Sequence, residues 1–135
     1  MSDALLSMWL DGKTALVTGA GRGLGRASSL ALPEAGAEIV AWSRTASEID
    51  SLVAEIEAKG GKTRAQVVDV TDNAGVRRAV DELEKVDILL NNAGSNIPQA
   101  FLEVDAASLD KVLGVNVRAV SSISYSAPIC AWLRE

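Results

Sequence analysis

The residue order predicts an α/β protein with a doubly wound parallel sheet, cut short after its fourth strand and the helix that follows. Three observations lead there. Short apolar runs alternate with stretches of helical period along the chain. Each strand is separated from the next by a single helix, a crossover that parallel pairing requires. The first strand ends in a cluster of glycines that opens straight into a helix.

In chain order, Thr14-Ala15-Leu16-Val17-Thr18 is a compact apolar run, as in a strand buried on both faces. A helix is expected over 23–35, with Pro33 in its last turns, where it removes a hydrogen bond at a cost of about 3 kcal/mol. Glu38–Trp42 is a second strand. Residues 46–59 carry Ile49, Leu52, Val53 and Ile56 on one helical stripe, with Thr45 or Ser47 as N-cap and Gly60-Gly61 as terminator. A third strand is expected over Arg64–Val70, a helix over Asp72–Leu83 and a fourth strand over Val86–Leu90. The connection between Leu83 and Val86 is short. A last helix begins near Asp105, with Leu109, Val112, Leu113 and Val117 as its inner face. Right-handed crossovers place the strands in the order 3-2-1-4, with strand four as an open edge whose backbone and apolar side chains favour self-association.

Composition narrows the function. The chain has 135 residues, enough for one domain, and 48% hydrophobic and 23% charged residues, ordinary values for a globular protein. A formal charge of −5 argues against a basic nucleic-acid surface. No apolar run spans a bilayer, and Met1-Ser2-Asp3 does not begin a signal peptide. The single cysteine, Cys130, fits a reducing cytoplasm, and the absence of histidine excludes a zinc site of the usual kind, so no metal is expected.

The turn Thr18-Gly19-Ala20-Gly21-Arg22-Gly23-Leu24-Gly25 has the chemistry of a diphosphate cradle. Without a Cβ, backbone N–H groups approach phosphate oxygens closely, and the positive end of the next helix faces them. Glycines also serve ordinary turns; the position between a buried strand and a helix favours a nucleotide. Thr18, Gly19, Gly23 and Gly25 form a Thr-Gly-x-x-x-Gly-x-Gly pattern that resembles the signature of the short-chain dehydrogenase/reductase family, whose fold is Rossmann-type.

The second strand ends Ala41-Trp42-Ser43-Arg44. No carboxylate stands at the strand end to select the ribose 2′-hydroxyl of NAD, and Arg44, with Arg22 in the loop, offers donors for a 2′-phosphate. Arg44 also reads as a solvated turn residue. In reductases similar to this chain, the combination goes with NADP rather than NAD. The resemblance further implies that Asp69 and Val70 meet the adenine and that Asn92, Ala93 and Gly94, within Asn91-Asn92-Ala93-Gly94, leave room for the cofactor ribose. Taken alone, Asp69 serves equally as a capping residue for the following helix. Asn116 shares a helical face with Leu109, Leu113 and Val120, which places a polar group on the side expected to be buried. Periodicity alone suits a helix-bending or interface asparagine. The resemblance of Asn116-Val117-Arg118-Ala119 to the family's Asn-Val-x-Gly, with Ala119 replacing the glycine, implies a catalytic role.

The family's acid/base pair is a tyrosine followed by a lysine four residues on. Here Tyr125 is followed by Ile129, and no lysine comes after Lys111. Ser121-Ser122-Ile123-Ser124-Tyr125-Ser126-Ala127-Pro128 replaces a helix-favouring run. Residues 1–120 therefore read as a dinucleotide-binding half-domain and 121–135 as an atypical tail, from a truncation or a shifted reading frame. The implied function is NADP(H)-dependent hydride transfer to or from a carbonyl or secondary alcohol of the 3-oxoacyl, sugar-acid or small-ketone class, with this chain inactive by itself. A non-catalytic NAD(P)-binding or interaction module and a degenerate fragment are the alternatives.

Overall fold

The computed structural model describes residues 8–127. Four strands, β1 (Thr14–Thr18), β2 (Glu38–Ser43), β3 (Thr63–Val67) and β4 (Ile88–Leu90), form one sheet in the order β3-β2-β1-β4. All three pairings are parallel. Helices α1 (Gly23–Glu34) and α2 (Ala46–Ala58) follow β1 and β2, and α3 (Asn73–Asp81) follows β3. After β4 comes a 3-10 turn at Phe101–Glu103, then α4 (Ala106–Leu113), a π-turn (Gly114–Ala119) and α5 (Val120–Ser126). No helix among the described residues is long and apolar enough to cross a membrane.

Alternation along the strands builds the two faces. Ala15 and Val17 of β1 and Ile39 and Ala41 of β2 pack with Ile49, Leu52 and Ile56 of α2. Leu16, Val40 and Trp42 point the other way, onto Val76, Ala79 and Val80 of α3 and Ala119 and Ile123 of the C-terminal arm. Trp42 is fully buried and donates its indole N–H to Gln66 Oε1 at 2.6 Å. Gln66 in turn donates to Glu82 Oε2 at 2.8 Å, which ties β3 to the end of α3.

Several boundaries shift. The third strand is a ladder over Thr63–Val67 rather than Arg64–Val70, because pairing with β2 stops at Ser43↔Val67. Val68 and Val70 lie beyond the ladder yet remain in the core. The fourth strand begins at Ile88 rather than Val86. The Asp87 carboxylate captures the Thr14 N–H at 2.8 Å, a donor the ladder would otherwise use. That bond, and then the contact with Lys85, holds the Asp87 carboxyl below its ordinary value. Val86 is buried, so the exposed apolar edge expected there is confined to the half-buried Ile88–Leu90. The third helix ends at Asp81 rather than Leu83, and Asp72 caps it by accepting from the Ala74 N–H.

Pro33 is accommodated inside α1, one residue before its end. Without an N–H it leaves the Ser29 carbonyl no intrahelical donor. The helix closes at once: Gly36 N–H donates to Pro33 O at 2.9 Å and Ala37 N–H to Leu32 O at 3.2 Å, a Schellman end. The second helix ends the same way, through Gly60 and Gly61, while Thr45 occupies its N-cap position without a side-chain bond.

The C-terminal arm differs most from expectation. Leu109, Leu113 and Val117, read as an inner face, are 48%, 38% and 56% exposed. The sheet is met instead by Val115, Ala119 and Ile123, with Val112 half-buried. The arm carries two apolar stripes, and periodicity identifies stripes without saying which one packs. The serine-rich run from Ser121 is helical through Ser126, with Ile123 and Ala127 buried. Cys130, Ile129, Pro128 and the N-terminal Met1-Ser2-Asp3 lie outside the described residues.

Candidate functional site

The glycine-rich turn sits at the carboxyl end of β1, and its geometry follows from its residues. Gly19 (φ +65°) and Gly23 (φ +57°) occupy the left-handed region, where a side chain is strained. Between them Arg22 is extended and stands at the N-cap of α1 without making a side-chain cap. The first turn of α1 carries no acidic residue. The N–H groups of Gly23, Leu24 and Gly25 thus lead a 12-residue helix with no carboxylate of their own to meet. Such an end suits an anion.

A clamp from β4 holds this turn. Thr18 Oγ1 accepts from the backbone N–H of Asn92 (3.1 Å) and of Ala93 (3.0 Å). Asn92 Nδ2 answers by donating to Thr18 O at 3.0 Å and Gly19 O at 3.2 Å. A Cβ on Gly25 would overlap the Gly19 carbonyl and the Asn92 amide, so the close seating of α1 requires glycine there. Thr18, Asn92 and Gly25 therefore fix the loop's shape.

At the end of β2, Ser43 is buried while Arg44 and Arg22 are exposed. A Cβ placed on Gly21 would lie 2.8 Å from Ser43 Oγ and 2.5 Å from Glu48 Oε2. The strand end itself, Trp42-Ser43-Arg44, carries no carboxylate. The fold supplies one from the first turn of α2, five residues further on. The signal was a glutamate in that first turn, indistinguishable in the sequence from an ordinary favourable helix-end charge.

Asp69 and Val70 lie after β3 rather than closing it. Asp69 Oδ1 accepts from Thr71 Oγ1 (2.7 Å) and the Thr71 N–H (2.9 Å), so Asp69 shapes a turn and leaves the capping of α3 to Asp72. Those two bonds, the side-chain one first, lower the Asp69 pKa, with a smaller contribution from the positive charge of Arg44. Val70 is buried.

After β4, Asn116 bonds the backbone of Ser95 at both ends of its amide. Oδ1 accepts from Ser95 N–H at 3.0 Å and Nδ2 donates to Ser95 O at 2.7 Å. Asn116 is exposed, contrary to the buried face expected of it. It sits inside the π-turn, with its side chain spent on the Ser95 backbone. A Cβ on Gly94 would come within 3.0 Å of Asn116 Oδ1, so Gly94 admits this contact. Nearby, Asn91 Oδ1 and Ser95 Oγ are buried without a hydrogen-bond partner, while Asn91 Nδ2 donates to Ser124 Oγ at 3.0 Å. Tyr125 is 76% exposed on α5. Among the described residues no group of His, Cys, Asp or Glu is placed to hold a metal ion.

The sheet order, the helices on both faces and the glycine turn at the carboxyl edge define a Rossmann-like α/β protein. Residues 13–128 match the short chain dehydrogenase family. The chain belongs to that family. It is 42% identical over 119 residues to the L-xylulose reductase of Mesocricetus auratus, covering 88% of this chain and 47% of that protein. It is 32% identical to the 3-oxoacyl-[acyl-carrier-protein] reductase of Thermotoga maritima, covering 87% and 49%. The chain thus spans about half the length of the curated relatives it matches. A short-chain type dehydrogenase/reductase from Mycobacterium marinum superimposes with a TM-score of 0.88 at 34% identity, over 94% of this chain and 53% of that one. A proposed NAD(P)-dependent gluconate 5-dehydrogenase from Beutenbergia cavernae, with NADP bound at low occupancy, gives 0.87 at 36% identity, over 94% and 52%.

Proposed function

We propose that this chain is the dinucleotide-binding half of a cytoplasmic short-chain oxidoreductase that takes NADP(H) in preference to NAD(H). The observation that carries the reading is the N-terminus of α1 behind Gly19–Gly25, with no side-chain cap and no acidic residue in its first turn, the preceding turn fixed by Thr18 and Asn92. The residues fit the group: Gly19 and Gly23 hold left-handed backbone, Gly25 seats α1 against the Gly19 carbonyl, and the N–H groups of Gly23, Leu24 and Gly25 meet no carboxylate of the helix's own first turn. Gly19, Gly21, Arg22, Gly23, Leu24 and Gly25 receive the diphosphate, Ser43, Arg44, Asp69 and Val70 the adenosine end, and Asn92, Ala93 and Gly94 border the second ribose. Arg22 and Arg44 supply the cations that favour a 2′-phosphate.

When bound, the nicotinamide supplies a hydride to a carbonyl carbon or takes one from an alcohol. The names of the relatives favour a ketose, sugar-acid or 3-oxoacyl substrate. Asn116 keeps the loop after Gly94 in place through Ser95, and that positioning is its contribution here. Ile129, four residues after Tyr125, leaves the acid/base pair incomplete, so the chain alone binds without turning over. This favours, as a second reading, a non-catalytic NAD(P)-binding module. Exposed Leu109, Leu113 and Val117, with the β4 edge, lead the isolated chain to self-associate; a monodisperse monomer in light scattering removes that point.

Calorimetric titration with NADPH tests the reading. Saturable binding supports it, and no binding of either dinucleotide defeats it. A turnover assay on the same chain, with L-xylulose and a 3-oxoacyl thioester, then separates binding from catalysis: turnover without a complementing half overturns the non-catalytic assignment.

A further inference from the structure

The carboxylate over Gly21 belongs to no part of the sequence motif. Glu48 lies in the first turn of α2 and is half-buried. Its Oε2 and Ser43 Oγ flank one point, 2.5 and 2.8 Å from where a Gly21 Cβ would be. Gly21 links the diphosphate turn to the end of β2, the stretch along which an adenosine ribose has to lie. The position is held from below. Arg26 of α1 donates to the Glu48 backbone carbonyl at 3.4 Å and pairs with Glu55 at 2.8 Å. The Arg26 charge is therefore engaged with Glu55, away from the Glu48 carboxylate. Glu48 stands in the first turn of α2, at the helix's positive end.

Resting on the dinucleotide reading above, we propose that Glu48 is a specificity-determining residue that opposes Arg22 and Arg44 at the ribose 2′-position. A carboxylate there accepts a hydrogen bond from a ribose hydroxyl and repels a 2′-phosphate. Arg22 and Arg44 act in the opposite sense. The balance gives a protein that accepts both dinucleotides with a small preference, one set by a side chain outside the strand end where the determinant is usually sought.

The test measures the dissociation constants of NADPH and NADH on the whole chain by calorimetry, for the unmodified protein and for Glu48→Gln and Glu48→Ala. Each substitution is expected to shift the ratio toward NADPH by about tenfold, the size of one repulsive contact near a protein surface. The shift shrinks as salt rises. If both dinucleotides bind and the ratio moves by less than about twofold, or both weaken together, Glu48 is a structural residue and the proposal fails while the dinucleotide site stands. If the unmodified chain binds neither dinucleotide, the site and the proposal fail together. An unchanged thermal midpoint without ligand shows that the variants remain folded; if Glu48→Ala is destabilised, Glu48→Gln, which keeps the shape, decides.

Discussion

The carboxyl ends of β1 and β4 and the C-terminal arm are both rich in small residues and both contain asparagine, yet they are read from the sequence with very different success. At the strand ends each residue type has one local job. Gly19 and Gly23 take a backbone conformation that strains other residues, Gly25 admits a neighbouring carbonyl, and Asn92 bonds the Thr18 and Gly19 carbonyls. Along 106–126 the sequence offers two apolar stripes, and the one facing the sheet is chosen by packing against Trp42, Val76 and Val80. Requirements met within a few bonds are visible in residue identity. A choice between two faces of similar polarity depends on what lies opposite.

Substitutions can sharpen this contrast. The largest effect is expected for Gly25→Val, which drives side-chain atoms into the Gly19 carbonyl and Asn92 amide. A loss of about 3 kcal/mol is expected from urea midpoints, together with loss of NADPH binding in titration. Next comes Thr18→Val. Thr18 is 1% exposed, and the change removes the acceptor of the Ala93 N–H, while the Asn92 N–H keeps its second acceptor, Leu90 O, at 3.0 Å. About 2 kcal/mol is expected, again by urea denaturation. A loss near zero would mean that the clamp does not hold the turn.

Asn116→Leu is expected to cost less, about 1 kcal/mol, because the Ser95 backbone it releases can turn to water. Hydrogen exchange at the Ser95 amide should speed up while amides of β1 stay protected. A uniform loss of protection would instead make Asn116 part of the core, as its helical spacing suggested.

The smallest effect concerns pH. Asp69, Asp87 and Asp105 have carboxyl pKa values lowered from 3.8 by hydrogen bonds, chiefly from Thr71, Thr14 and Ser108. A depressed carboxyl pKa adds stability that is present above 3.8 and lost as pH falls through the lower folded-state value. Thermal midpoints should therefore fall on acidification in that range. Asp87→Asn should flatten the fall at the β1–β4 junction, and Asp105→Asn should flatten only the part belonging to the N-cap of α4. An acid limb identical in both variants and the parent would show that these bonds do not stabilise the fold.

Much of the architecture was legible from short apolar runs, a helical stripe at Ile49, Leu52 and Ile56, and the terminator Gly60-Gly61, whereas the glycine end of α1 at Gly36 was not. Strand limits were less so, because a ladder ends where its partner ends: β3 stops opposite Ser43, although Val68 and Val70 are as apolar as any strand residue. At the site, the turn and the Asn91-Asn92-Ala93-Gly94 stretch stood out. Glu48 did not, because nothing in its local sequence says that the first turn of α2 returns over Gly21.

The sequence by itself determined the alternation of strands and helices, the parallel sheet order and the turn at its carboxyl edge, since these follow from period, crossover length and the conformations open to glycine. Only the tertiary structure decided which stripe of the arm is buried, how Asn116 is used and which carboxylate overlooks Gly21. Those outcomes arise from side chains brought together across distant parts of the chain, where position in space, rather than residue type, sets the energy.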